Sequence, residues 1–303
     1  MKIFYVGNFR EPWCTEVHIA NTLNRLGHEV TRCQEDPASV IDVTGHDLFL
    51  FTRTWNNLVS MALLDWLRDV GVPSASYHLD LYVGIQREAG LVDDPFWRTD
   101  YVFQPDGDPR SMEVFRNHGI NAYWMRPGVD MAECYIADVP ITKDVAFVGS
   151  RGYHEEWPYR GQLIDWLHHT YGERFEQWGS DGLGTIRNDP LNQLYASTKV
   201  IVGDSLCMPG HVNYWSDRPY ETLGRGGFLI MPRVPGLDEE FISGEDLIYY
   251  DYGDFDMLRS KIDWYLEHDD VRELIRQTGH DKVIGHYTYD VRLTHMLEVI
   301  NGG

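Results

Sequence analysis

One stretch of the chain gathers groups able to handle a ligand rich in hydroxyls and phosphates. It runs Arg218-Pro219-Tyr220-Glu221-Thr222-Leu223-Gly224-Arg225-Gly226-Gly227-Phe228-Leu229-Ile230. The pattern reads as a short helix over 219–223, a glycine-rich turn, and a buried strand over 227–231. The Glu221 carboxylate can accept hydrogen bonds from ribose hydroxyls. Amides at a helix start can face a diphosphate. The same residues also suit a glycine cap followed by a core strand, so the rest of the chain must decide.

These groups need a scaffold, and alternating apolar strands and amphipathic helices supply one. In the first half the pattern predicts strands over 2–6, 28–33, 47–51, 72–78, 100–104 and 121–125, with helices over 15–26, 58–70 and 111–118. Arg126-Pro127-Gly128-Val129-Asp130 and the following 131–143 read as a linker. The pattern then restarts. Strands are expected over 144–148, 174–178, 199–203, 227–231 and 247–250, and helices over 159–171, 190–196, 219–223, 255–268, 271–286 and 290–300. Such alternation implies an α/β chain of two Rossmann-like domains with doubly wound parallel sheets. Two such domains facing each other leave a cleft at the carboxyl ends of the strands, where ligands bind.

Composition excludes several classes. A length of 303 residues suits two domains, and 43% hydrophobic residues suffice for their cores. A net charge of −21 disfavours a large nonspecific nucleic-acid interface, which needs Lys and Arg to displace counterions. Cys14, Cys33, Cys134 and Cys207 form no C-x-x-C pair, so neither a zinc knuckle nor a redox motif is supported. The apolar run Met1–Val6 is too short for a signal-peptide core. No run reaches the roughly 20 apolar residues of a membrane span. A cytoplasmic protein with reduced cysteines is expected. After the first strand comes Gly7-Asn8-Phe9-Arg10, and after the restart Gly149-Ser150-Arg151-Gly152; neither is a dinucleotide fingerprint, and no phosphate-binding P-loop motif occurs. Asp106-Gly107-Asp108 has the D-x-D form of some metal–diphosphate sites, but before Pro109 it reads as a turn and helix cap.

Several segments together carry a family resemblance. They are the opening Met1–Asn8 with Leu26-Gly27-His28-Glu29-Val30, the Arg126–Asp130 hinge, Asp144–Ser150, Leu194–Val200, the E-x-x-G-x-G-G pattern of Glu221–Gly227, and His286-Tyr287-Thr288-Tyr289 with Arg292. They resemble nucleotide-sugar glycosyltransferases of the two-domain GT-B fold, similar to the spore-maturation-protein-like and family-four-like members. The resemblance implies an acceptor-side domain over 1–130, a donor domain over 131–286, and a closing helix within 287–303 that crosses back to the first domain. It implies donor contacts from Gly149, Ser150, Arg151, Arg160, Trp178, Gly179, Tyr195, Ser216, Asp217, Arg218, Pro219, Tyr220 and Glu221. Of these, Arg151 or Arg160 would neutralise a phosphate, Trp178-Gly179 would meet the base, and Glu221 the ribose. Acceptor contacts would come from Gly7, Asn8, Arg53 and Trp55, with Thr54 beside them and Glu16 and His18 as weaker candidates. His78 would touch the donor sugar, and Asp80 would take the acceptor's proton in an inverting reaction. Retaining members often carry two glutamates with seven residues between them. Here Asn213 stands where the first would be, beside Tyr214, so the stereochemical outcome stays open.

The expected activity is therefore metal-independent transfer of a hexose or similar sugar from a nucleotide diphosphate, with UDP the expected nucleotide. The acceptor would be a hydroxyl on a protein, a glycan, a small molecule or a modified DNA base. The nucleotide sugar is a co-substrate, and no resident cofactor or metal is expected. A noncatalytic nucleotide- or sugar-binding protein remains open. An NAD-dependent oxidoreductase is a weaker alternative, lacking its glycine fingerprint.

Overall fold

Continuous apolar runs mark the central strands. The strand Leu48–Phe51 reads Leu-Phe-Leu-Phe, and all four side chains are buried. Burial on both faces belongs to a parallel sheet covered by helices on each side. The computed structural model of the chain describes residues 1–52, 58–152, 154–205 and 208–302. The chain forms two compact units, Met1–Asp130 with Tyr289–Gly303, and Met131–Thr288.

In unit 1, strands β1 (Lys2–Gly7), β2 (Glu29–Gln34), β3 (Leu48–Phe51), β4 (Ser74–Tyr77), β5 (Tyr101–Gln104) and β6 (Ala122–Trp124) form one sheet. Its order is β2-β1-β3-β4-β5-β6, with every neighbouring pair parallel. Helices α1 (Thr15–Arg25), α2 (Met61–Asp69) and α3 (Pro109–Asn117) connect the strands. Strand residues alternate between faces. Ile3 and Tyr5 of β1 join one core with Ile19, Ala20 and Leu23 of α1. Phe4 and Val6 join the other, with Phe49, Phe51, Leu64, Leu67 and Phe115. Strand order reverses at β1, so the switch point of this sheet lies between the ends of β1 and β3.

Unit 2 repeats the logic with β7 (Lys143–Val148), α4 (Tyr159–Tyr171), β8 (Phe175–Trp178), α5 (Asn188–Ser197), β9 (Thr198–Val202), α6 (Arg218–Gly224), β10 (Leu229–Pro232), β11 (Ile248–Tyr250), α7 (Phe255–Glu267) and α8 (Asp269–His286). The parallel sheet has the order β11-β10-β9-β7-β8. Its switch point lies between β7 and β9. Val145, Phe147, Val200, Val202 and Ile230 build the core under α4 and α7, through Leu163, Ile164, Leu167, Leu258 and Ile262.

The last helix, α9 (Tyr289–Ile300), belongs to unit 1. Tyr289, Leu293, Met296, Leu297 and Ile300 complete the core beside α1. The Tyr289 amide donates to the Val129 carbonyl at 2.8 Å. At the base of the hinge, Asp130 is buried and accepts from Arg25 at 2.8 Å. Arg25 also reaches Asp290 at 2.9 Å, so one guanidinium ties α1, the hinge and α9 together.

Every strand and helix expected from the pattern is present, with ends that differ by up to three residues. Capping chemistry accounts for the two largest shifts in the first unit. α2 begins at Met61, not Leu58, because the Ser60 hydroxyl accepts from the Leu63 amide at 3.2 Å. α3 begins at Pro109, because Asp108 caps it by accepting from Arg110 N at 2.8 Å. Asp106-Gly107-Asp108 is thus a turn and cap, as its place before Pro109 implied. Four short 3-10 turns among the described residues, Gln86–Leu91, Pro95–Trp97, Gly172–Arg174 and Leu237–Glu239, were not anticipated. Among the described residues no helix is long and apolar enough to cross a membrane.

Candidate functional site

The loops leaving β7, β8 and β9 meet at the unit 2 switch point. Gly149 follows β7, and its amide donates to the Trp178 carbonyl at 2.6 Å. A β-carbon on Gly179 would stand 2.5 Å from the Gly149 carbonyl oxygen. Only glycine permits that approach of two backbones. Ser150 and Ser180 hydroxyls lie 3.0 Å apart across the same junction. The Trp178 indole is oriented by its N–H, which donates to Glu176 at 3.0 Å.

Arg218, from the first turn of α6, lies across this junction. Its Nη1 donates to the Val148 carbonyl, and its guanidinium sits 5.4 Å from the centre of the Phe147 ring. Room for the side chain comes from two glycines. A β-carbon on Gly149 would meet Arg218 Nη2 at 2.9 Å, and one on Gly203 would meet Cδ at 3.3 Å. Among the described residues Arg218 makes no ion pair, and its Nε is buried without a hydrogen-bond partner. Burial lowers the pKa of Arg218, and the nearby charge of Arg160 lowers it further. Arg160 itself donates from Nε to Asp204 at 3.1 Å. Asp204 is fully buried and also accepts from the Trp157 indole at 3.1 Å. Two guanidiniums thus stand at a strand-end crevice whose buried carboxylate, Asp204, is committed to Arg160 and Trp157. Such a place favours an anion with several oxygens. The Ser205 hydroxyl, next in the chain, accepts from the Ser216 amide at 3.0 Å, while the Ser216 hydroxyl is buried without a partner among the described residues.

The expected donor residues divide into two groups. Gly149, Ser150, Trp178, Gly179, Arg160, Ser216 and Arg218 sit around the crevice. Tyr195 is buried at the end of α5, where the positive charge of Arg218 opposes the upward push of burial on its pKa. It therefore backs the crevice and cannot pack beside a nucleotide. Tyr220 is also a correction. It is fully buried, its hydroxyl accepting from the Trp215 indole at 2.8 Å and donating to Glu240. Pro219 is buried and offers no N–H, so the first turn of α6 presents the Arg218 side chain in place of a row of amides. Asp217 is exposed at the start of α6. Arg151 points away from the crevice and pairs with Asp165, holding that carboxyl below its ordinary pKa.

Glu221 stays partly exposed, with one oxygen engaged by Arg225 Nε at 2.8 Å. Burial opposes the charge of Arg225, yet the Glu221 carboxylate more than offsets this, and the Arg225 pKa is raised. Arg225 is anchored in turn on Asn192 at 2.7 Å and on the Glu133 carbonyl at 2.9 Å. Gly203, Asp204, Ser205 and Trp157 escaped the sequence reading. A Gly-Asp-Ser run at the end of a predicted strand was the available signal.

The acceptor-side candidates of unit 1 are more dispersed. Gly7 ends β1 against Glu16, whose Cγ would stand 2.7 Å from an added β-carbon. Asn8 is half-buried and accepts from the Arg10 amide at 3.3 Å. Arg53, Thr54 and Trp55 lie outside the described residues. His18 faces the hinge carboxylate Asp130 at 3.3 Å and is a structural residue there. His78 requires correction as well. Only 1% exposed, its ring lies between Phe96 and Trp97 at 3.6 and 3.7 Å, with Nε2 3.1 Å from the Phe96 carbonyl. That sandwich leaves no ring edge for a sugar. Asp80 is partly exposed, and its carboxylate accepts from Arg87 at 2.8 Å.

Comparison with known proteins agrees with this geometry. Residues 156–298 match the family model described as glycosyl transferase-like. Among solved structures, HepE of Anabaena in complex with UDP-glucose is similar, at 14% identity and a TM-score of 0.68 with 100% of both chains covered. An alpha-glucosyltransferase in complex with UDP-glucose and DNA containing an abasic site is similar at 12% identity and a TM-score of 0.71, over 99% of this chain and 98% of that one. Sucrose-phosphate synthase from Thermosynechococcus elongatus is similar at 12% identity and a TM-score of 0.63, with the same coverage. No curated protein sequence matches the chain. Two parallel Rossmann-like sheets and a last helix returned to the first unit give the chain the GT-B fold of these structures, and the greater part of its second unit matches the glycosyl transferase-like family model.

Proposed function

We propose that the chain transfers a sugar from UDP to an acceptor hydroxyl. One observation carries this reading: the Arg218 guanidinium, without an ion pair among the described residues, lies across the switch point of unit 2 beside Arg160. A diphosphate placed there gains charge-assisted hydrogen bonds that strengthen as the sugar departs. The bond from the sugar's anomeric carbon to the phosphate oxygen breaks, and its electron pair leaves with UDP. The acceptor oxygen forms the new bond and gives up its proton. In this reading the two guanidiniums supply the positive charge, with no resident cofactor or metal, and unit 1 holds the acceptor. Trp178 and Gly179 meet the base, and Glu221 the ribose. The choice of UDP is supported by HepE and the alpha-glucosyltransferase, both described with UDP-glucose. Cys14 and Cys33 are free thiols, which fits a reducing, cytoplasmic setting.

Thermal shifts with UDP, GDP, dTDP, UDP-glucose and NADH test the reading. UDP at 100 times its dissociation constant is expected to stabilise the protein by about 2.7 kcal/mol. A shift with NADH alone would overturn the proposal. UDP-sugar that binds but is never hydrolysed or transferred would mark a noncatalytic binding protein on the same fold.

Glu221→Ala is expected to weaken UDP binding by about 1–3 kcal/mol through a lost ribose hydrogen bond. Calorimetric titration reads this directly, and unchanged affinity removes Glu221 from the ribose.

A further inference from the structure

The loop Gly149-Ser150-Arg151 is held from both sides. Gln177, buried on β8, donates from Nε2 to the Gly149 carbonyl at 2.9 Å and to Asp181 at 3.3 Å. Asp181, exposed in the loop after β8, accepts from the Arg151 amide at 2.8 and 3.1 Å. The Arg151 side chain is tied at its far end to Asp165. With Gly149 N spent on Trp178 and Arg151 N on Asp181, Ser150 N is the one amide of the three without an acceptor among the described residues. The contacts fix the two peptide groups on either side of it.

We infer that Gln177 and Asp181 are positioning residues, which hold the Ser150 amide toward the donor diphosphate. The inference rests on the UDP-sugar reading. Neither residue touches the donor. Their effect passes through the backbone of 149–151.

Electrostatics makes the inference sharp, because Asp181 is an acid beside a site for an anion. Were it merely a surface carboxylate, removing it would tighten UDP binding. Positioning predicts the opposite sign. Asp181→Ala should raise the UDP dissociation constant about tenfold, the size of one charge-assisted hydrogen bond. It should raise KM for the UDP-sugar similarly and leave kcat at saturation little changed. Asp181→Asn keeps an oxygen for the Arg151 amide while removing the charge, and should restore wild-type affinity. Asp181 is exposed, so thermal stability should hold in both variants. The measurement is titration of UDP into wild-type protein and the two variants. If wild type binds UDP and Asp181→Ala binds it equally or more tightly, the positioning role falls alone. Failure of Asn to rescue also overturns it. A wild-type protein that ignores UDP overturns the donor reading and this inference with it.

Discussion

Replacing Arg218 with methionine is expected to abolish most UDP binding and sugar transfer while making the protein more heat-stable. The two effects share one cause. Arg218 is partly buried beside Arg160, and Asp204 is already committed to Arg160 and Trp157. A desolvated like-charge neighbour is costly in the free protein, and the diphosphate repays that cost only when it arrives. Methionine keeps the length and volume that fill the space above Gly203, so the substitution removes charge with little cavity. Transfer should fall by about 10²–10³, the usual loss for one preorganised donor at a developing anion. If charge relief contributes about 1 kcal/mol, the melting temperature should rise by roughly 2–4 °C. Melting curves and transfer rates on the same preparation check both halves. A variant that melts lower and still binds UDP as wild type would remove Arg218 from the donor site.

Asp204→Ala should do the reverse to stability. Asp204 is fully buried and receives hydrogen bonds from Arg160 and the Trp157 indole. Its loss leaves the Arg160 guanidinium, whose side chain is only 9% exposed, without this partner and next to Arg218. Breaking a buried pair by removing one member costs about 3–5 kcal/mol. The unfolding transition of the second unit should fall by roughly 6–20 °C. Adding Arg160→Met should recover part of that loss, because the Arg160 cation is then gone and the two sites are in direct contact. A double variant no more stable than Asp204→Ala alone would show that the pair is not the source of the effect.

The alternation of strands, helices and glycine-ended strands was legible because it depends on residues near one another in sequence. Leu48–Phe51 or Tyr159–Tyr171 declare themselves by apolar runs or helical spacing, and the structure agrees. Destinations of single side chains were not legible. His78 stands at a strand end, where an exposed ring was expected. Phe96 and Trp97, which enclose it, come from an irregular segment with no periodic signature. Tyr220 reads as a polar-tipped aromatic beside Glu221, yet its buried partners, Trp215 and Glu240, lie on segments before and after α6. Asp204 was not singled out from the sequence. Its burial depends on Trp157 and Arg160, more than forty residues upstream. Arg151 and Arg160 were equal candidates for the phosphate. Long-range packing separates them, sending one out to Asp165 and the other in to Asp204.

The return of α9 to unit 1 has a consequence for how the protein is made. Leu293, Met296, Leu297 and Ile300 fill the core formed by β1 and α1, so the core of this earlier-made sheet cannot be completed from residues 1–130 alone. Unit 2 has all its residues once position 288 is translated. The later-made unit can therefore finish before the earlier one. At synthesis rates of about 5–20 residues per second, the exposed apolar face beside α1 waits on the order of ten to thirty seconds for its cover. Ribosome-associated chaperones would meet this chain chiefly through that face.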